Sequence, residues 1–82
     1  MQIFVREPQG HKTLVYDCSQ HTTLSEFAQW IQDRTMWPQE KYYILLHGKI
    51  IPTYRPEHYE QTFAQLNIKR EDTLNLMGRF RG

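Results

Sequence analysis

The side chains best suited to chemistry in this sequence are the single cysteine, Cys18, and a nearby histidine, His21. A thiolate beside an imidazole base could act as a nucleophile. Cys18, however, falls on the inward side of an alternating apolar segment, where a free cysteine packs as a small hydrophobic residue and burial raises the pKa of its thiol. We therefore expect no catalytic residue in this chain, and we do not expect it to be an enzyme.

Metal, phosphate and nucleic-acid sites have weaker support. The histidines lie in separate predicted turns without a paired ligand spacing, and the glycines are isolated, so no glycine-rich loop follows a strand. Aromatic side chains could stack on single-stranded nucleic acid, but no basic groove accompanies them. We expect no metal site, no cofactor and no nucleic-acid partner. If the protein were a nucleic-acid-binding module instead, its affinity for nucleic acid would fall steeply with salt.

The charge balance indicates that recognition depends on specific contacts. Ten basic and nine acidic residues give a formal charge of +1, so no general attraction to nucleic acid or anionic lipid is expected. The 82 residues predict one domain, which at this size buries about 60% of the unfolded chain's surface. We expect a monomer without a secretory signal or membrane span, in a reducing cytosolic or nuclear compartment.

Two alternating segments at the start of the chain predict a hairpin. Residues 1–7 and 14–18 alternate on either side of a Pro-Gln-Gly turn. The inward positions are Ile3, Val5, Leu14, Tyr16 and Cys18. Phe4 faces outward, either as a scattered surface residue or as a contact site.

A capping box predicts the start of the one main helix. Thr23 and Glu26 are spaced so that each side chain accepts from an unpaired N–H of the first turn. The apolar residues at helical spacing are Leu24, Phe27, Ala28 and Ile31. We expect the helix to end near Thr35, because a proline follows soon after. Trp30 lies off this stripe and either packs partly over the sheet edge, which we favour, or meets a partner.

The second half of the chain predicts another hairpin and a final strand. An apolar run at 42–46 turns through His47 and Gly48 into 49–51. Residues 52–61 read as a surface loop whose two tyrosines have no evident core role. A helical turn at 62–66 should bring Phe63 and Leu66 to the core before the last strand at Thr73. The predicted fold class is α+β, a mixed sheet of about five strands with the helix on one face.

The last strand continues into a short basic tail. We divide the chain into a domain at 1–78 and a slim, mobile tail at 79–82, since glycine lacks the Cβ that restricts the backbone. The tail residues are Arg79, Phe80, Arg81 and Gly82. Two charges around one apolar anchor suit insertion into a groove of another protein.

This tail resembles the end of ubiquitin, Arg-Leu-Arg-Gly-Gly, although one glycine stands here where ubiquitin has two. Residues 1–5, Met-Gln-Ile-Phe-Val, equal the opening of ubiquitin, and the pairs Gly48-Lys49 and Asn67-Ile68 recur in family order. The chain departs from the pattern mainly by an insertion within 52–61. The resemblance implies the β-grasp fold.

The resemblance also implies two binding patches and two amines. The first patch falls on the turn and strand residues Pro8, Leu45, Gly48, Lys49, Asn75 and Met77; the alternative is that its apolar members are ordinary sheet residues. A second patch falls on Trp37 and Phe80, with Gly78 between them in sequence. Of the lysines that ubiquitin uses to build chains, Lys12 and Lys49 have counterparts.

The function that the resemblance implies is that of a protein modifier. Other enzymes would activate the C-terminal carboxylate, join it to an amine and remove it again, and ubiquitin-receptor-like proteins would bind the sheet patch. The main alternative is a non-conjugated ubiquitin-like domain of a larger protein that acts as an interaction module.

Overall fold

The predicted mixed sheet with one main helix is confirmed. The structure is a computed structural model that describes residues 1–7, 12–51, 53 and 55–78. In chain order its elements are β1 (Gln2–Arg6), β2 (Thr13–Asp17), α1 (Leu24–Thr35), β3 (Tyr42–Leu46), β4 (Lys49–Ile51) and β5 (Thr73–Gly78), with short 3-10 turns at Gln39–Lys41 and Pro56–His58. The strand order is β2-β1-β5-β3-β4. The central pair, β1 and β5, is parallel and the other pairs are antiparallel.

Strand alternation gives the sheet one face for the core. The helix contributes its predicted stripe to the same core, and the buried apolar residues from both layers are Ile3, Val5, Leu24, Phe27, Ala28, Ile31, Tyr42, Ile44, Leu46, Ile51, Leu74 and Leu76. Because side chains alternate along a strand, the strand residues between these buried positions face away from the helix. The sheet therefore has an inner face toward α1 and an outer face.

The ends of α1 follow the sequence signals. The Glu26 N–H donates to Thr23 Oγ1 at 3.2 Å, and the Thr23 N–H donates to Glu26 Oε1 at 2.9 Å, which is the predicted capping box. At the other end Met36 is left-handed with φ 65°, and its N–H donates to the Gln32 carbonyl at 2.9 Å. The left-handed residue and the proline that soon follows stop the helix.

The inner face of β2 is only partly buried, because β2 is an edge strand. Leu14, Tyr16 and Cys18 pack against the core from this position. The ring centroids of Tyr16 and Trp30 lie 4.5 Å apart, and the Arg34 guanidinium lies 5.3 Å from the centroid of Trp30. Trp30 thus packs over the sheet edge, as predicted.

The segment 52–61 runs over the surface, as predicted, for most of its described residues, but it also makes structural contacts that the sequence did not predict. Thr53 is buried, with its Oγ1 2.7 Å from the Tyr42 carbonyl oxygen and 2.9 Å from that of Gln39. The Tyr59 hydroxyl accepts from Gln39 Nε2 at 2.5 Å, so this tyrosine has a structural partner. Polar contacts of this kind leave no periodic signal. Pro52 and Tyr54 lie outside the described residues.

The same segment also supports the start of α1. The amide of Leu24 donates to the Gln61 carbonyl at 2.9 Å, and the amide of Ser25 donates to the Tyr59 carbonyl at 3.1 Å. First-turn amides have no partner within their own helix, so these carbonyls satisfy donors that the capping box leaves free. The loop and the helix start therefore form one hydrogen-bonded unit.

Residues 62–66 form the single helical turn that the sequence predicts. The Leu66 N–H donates to the Thr62 carbonyl at 3.0 Å, without a helix developing from it. The expected packing is confirmed, since Phe63 is buried and Leu66 is partly buried against the core. Across the described ranges, no helix has the length and apolar character needed to cross a membrane.

Candidate protein-interaction surface

A group of apolar side chains lies on the outer face of the sheet. The register pairs Leu45 with Ile50 on one side and with Asn75 on the other, and it pairs Tyr43 with Met77. Directly paired residues share a face, so these side chains stand together. We call Tyr43, Leu45, Ile50 and Met77 the outer patch.

The outer patch is accessible to a partner. Ile50 and Met77 are 62% and 37% exposed, while Tyr43 and Leu45 are half-buried. Exposed apolar side chains that stand singly are ordinary on protein surfaces, whereas a contiguous group on one flat face is typical of an interaction site. The geometry can therefore bury apolar area against another protein.

Polar residues border the outer patch on one side. Arg6 of β1 pairs with Asn75 of β5, and Phe4 pairs with both Thr73 and Val15. Arg6 and Asn75 therefore separate the outer patch from a smaller apolar pair formed by Phe4 and Val15. A half-buried Phe4 on the outer face agrees with the prediction.

The structure joins some residues of the first predicted patch and separates others. Leu45, Asn75 and Met77 lie together, as the resemblance implies. Gly48, with φ 78°, occupies the turn between β3 and β4. Lys49 pairs with buried Leu46, so its side chain leaves the strand on the helix side of the sheet and not on the outer face.

The sequence prediction omitted two members of the outer patch, Tyr43 and Ile50. A two-residue turn fixes the hairpin register, so the position of Ile50 opposite Leu45 could have been found from the sequence. Pro8 of the predicted patch lies outside the described residues.

The second predicted patch is described in part. Trp37 is partly buried and packs against the core, while the neighbouring Met36 is 81% exposed. Gly78 is the last residue of β5 and pairs with Tyr42, so it belongs to the sheet. Phe80 and the other tail residues, Arg79, Arg81 and Gly82, lie outside the described residues.

The predicted amine positions are open to solvent. Lys12 and Lys49 are both exposed, and so are Lys41 and Lys69. Exposure alone does not distinguish the two predicted acceptors from the other lysines. It leaves each amine free to reach an activated acyl group.

The nucleophile considered from the sequence has an unfavourable environment. Burial raises the pKa of the Cys18 thiol, which reduces its thiolate fraction. His21 is exposed, and its backbone N–H donates to Ser19 Oγ at 3.1 Å. Within the described residues, no group of three or more His, Cys, Asp or Glu side chains is arranged to hold a metal ion.

Comparison with known families agrees with the fold. The family model described as the ubiquitin family matches residues 3–81. That range includes α1 and β2 to β5, together with most of β1. A ubiquitin-like fold implies interaction with other proteins in general. The chain belongs to the ubiquitin family.

Proposed function

We propose that this protein is a ubiquitin-like modifier, joined through the carboxylate of Gly82 to amines of other proteins. The observation that supports this most directly is the course of β5. Met77 contributes to the outer patch, Gly78 ends the strand, and the tail sequence Arg-Phe-Arg-Gly follows at once. A partner that grips the outer patch can therefore reach the tail without crossing the domain.

The chemistry of the proposal requires separate enzymes. A free carboxylate does not acylate an amine in water, so ATP must first activate it and an enzyme cysteine must then hold it as a thioester. The slim terminal glycine lets the backbone approach the reacting groups closely. The modifier supplies the carboxylate, and activating, conjugating and deconjugating enzymes supply the catalysis in the cytosol or nucleus.

Recognition of the conjugate is assigned to the outer patch. Its apolar side chains can enter a pocket of a ubiquitin-receptor-like protein, and Arg6 and Asn75 at its border can form polar rim contacts. Lys12 and Lys49 are proposed as acceptors for chain growth. Lys12 lies just before β2 and Lys49 begins β4, which are the two edge strands of the sheet, so chains built on these lysines would differ in geometry.

Thioester formation tests the proposal. One chain ending at Gly82 and one with a single added glycine are incubated with ATP and an extract that charges ubiquitin. We expect a higher-mass band that reducing agent removes, strong for the lengthened chain and weak for the other. A chain ending at Gly78 is the control that should never be charged. Failure of both longer chains, in an extract that charges ubiquitin, would overturn conjugation.

A second candidate function is that of a non-conjugated interaction domain. It is favoured by the completeness of the outer patch within β3, β4 and β5, because binding through this surface does not need the tail. The chain ending at Gly78 separates the two functions. If it binds a ubiquitin receptor as tightly as the full chain, and neither longer chain is charged, the interaction domain is the better account.

A further inference from the structure

Within the described residues, no strand pairs with the outer edge of β4. His47 (φ 52°) and Gly48 (φ 78°) form a two-residue hairpin turn. In such a turn the two flanking residues, here Leu46 and Lys49, form a hydrogen-bonded pair. Hydrogen-bonded pairs alternate with non-bonded pairs along an antiparallel ladder. The N–H and C=O of Ile50 therefore point away from β3, toward the open edge.

A cavity lies beside this edge on the helix side of the sheet. Its volume is about 390 Å³, which lies within the range of sites that hold side chains or small ligands. Its lining includes Leu46 of β3, Lys49, Ile50 and Ile51 of β4, and Gln65 and Leu66 of the turn before β5. Polar and apolar side chains both contribute, and Lys49 supplies a positive charge.

The opposite edge of the sheet, β2, has a different environment on the helix side. There the ring of Tyr16 packs 4.5 Å from that of Trp30, so aromatic side chains fill the region between β2 and α1. Backbone groups alone do not select a partner, because specificity in strand addition comes from pockets for alternate side chains. The β4 edge combines both features.

We propose that β4 accepts an extended peptide segment of a partner protein, which adds as a sixth strand and inserts a side chain into the cavity. The residue opposite Ile50 exchanges backbone hydrogen bonds with it and points to the outer face. Its neighbours point inward, one apolar beside Ile51 and one acidic beside Lys49. This site shares Ile50 with the outer patch, but it uses the backbone of β4 and the cavity rather than the side chains of Leu45 and Met77, and it does not depend on conjugation.

The peptide chemistry follows from the register. In an antiparallel arrangement the sequence is apolar, apolar, acidic, for which acetyl-Thr-Leu-Val-Glu-Thr-amide is a suitable probe; the reversed peptide probes the parallel arrangement. Titration into the labelled protein should shift the amide signals of residues 49–51 and 65–67. The same peptide with an N-methylated valine should bind about tenfold more weakly, because one backbone donor is lost.

Protein variants separate backbone pairing from side-chain contact. Ile50→Pro removes the amide donor at a position that does not bond to β3, and it should weaken binding about tenfold. Ile50→Ala is the matched comparison, because it shortens the same side chain but keeps the donor, so it should weaken binding clearly less than Ile50→Pro does. Lys49→Glu should reverse the preference, so that a peptide with lysine in place of glutamate binds better.

The proposal fails if neither peptide shifts residues 49–51 at millimolar concentration, or if N-methylation and Ile50→Pro both leave binding unchanged. Shifts confined to Tyr43, Leu45 and Met77 would assign the peptide to the outer patch instead. A dimer in solution that Ile50→Pro abolishes would show that a second copy of this chain occupies the edge. Well-dispersed spectra of each variant confirm that it is folded.

Discussion

The hydroxyl of Thr53 lies 2.7 Å from the carbonyl oxygen of Tyr42, and 2.9 Å from that of Gln39. Thr53 is 1% exposed, and its contact with the Tyr42 carbonyl is buried. The contact fastens the segment after β4 to the beginning of β3. Since that segment also supplies carbonyls to the first turn of α1, one buried hydroxyl connects the second hairpin with the start of the helix.

Replacing Thr53 by valine should destabilise the domain by about 1 to 3 kcal/mol, because it removes the donor of the buried contact with the Tyr42 carbonyl while it preserves side-chain shape. Urea unfolding measures the difference. Thr13→Val is the matched control, since Thr13 is exposed on β2 and should change stability by less than about 0.5 kcal/mol. Equal effects of the two substitutions would show that the buried hydroxyl is not a structural contact.

Tyr42 differs from Thr53, because its buried hydroxyl has no hydrogen-bond partner in the described part of the chain. Removing it by Tyr42→Phe abolishes an unpaired polar group, so the variant should be as stable as the parent at neutral pH or more stable by about 1 kcal/mol. Thermal or urea unfolding at pH 7 measures this. A clear loss of stability would indicate that the hydroxyl has a partner.

Tyr42 should also make stability fall at alkaline pH. Burial raises the pKa of this phenol above its ordinary value of 10.0, so the unfolded chain releases the proton before the folded one does. Stability is therefore constant below about pH 10 for this group and falls above that pH. Urea melts between pH 8 and pH 11 should show a shallower decline for Tyr42→Phe than for the parent. Identical slopes would contradict the assignment.

The helix cap should contribute measurably to stability. Thr23→Ala removes the acceptor for the Glu26 amide and should cost about 1 kcal/mol. Ser25→Ala is the control, because Ser25 is exposed in the same first turn and is not the capping residue; its effect should be small. Equal urea midpoints for Thr23→Ala and the parent would count against the cap.

Local signals in the sequence were sufficient for most of the fold. The capping box predicts the start of α1 at Leu24, and the apolar stripe with the proline after it predicts an end near Thr35, because these are properties of a single helix. His47 and Gly48 between two apolar runs predict the second hairpin. In the structure both residues adopt the positive φ that its two-residue turn requires. Each of these signals comes from residues that are close together in the sequence.

Contacts between distant segments were not predictable in the same way. Thr53 and Tyr59 find partners in Tyr42 and Gln39, and neither pair follows a spacing that a periodic pattern would detect. The outer patch was predictable in part. Leu45 and Met77 were predicted from the family resemblance, whereas the exposure of Ile50 beside them depends on the sheet having β4 as its edge.

Recognition through the outer patch should depend on Leu45 more than on other apolar residues of the same face. Leu45 lies between Ile50 and Asn75, so a partner that covers the patch places this side chain at its centre, where truncation is most costly. Leu45→Ala should weaken binding of a ubiquitin-receptor domain by about 1 to 3 kcal/mol in isothermal titration calorimetry. Val15→Ala is the matched control, because Val15 is 50% exposed on the outer face but lies beyond Arg6. It should leave affinity unchanged, and both variants should retain the circular dichroism spectrum of the parent. If Val15→Ala weakens binding and Leu45→Ala does not, the receptor binds the Phe4 side of the sheet, and the outer patch is not the recognition surface.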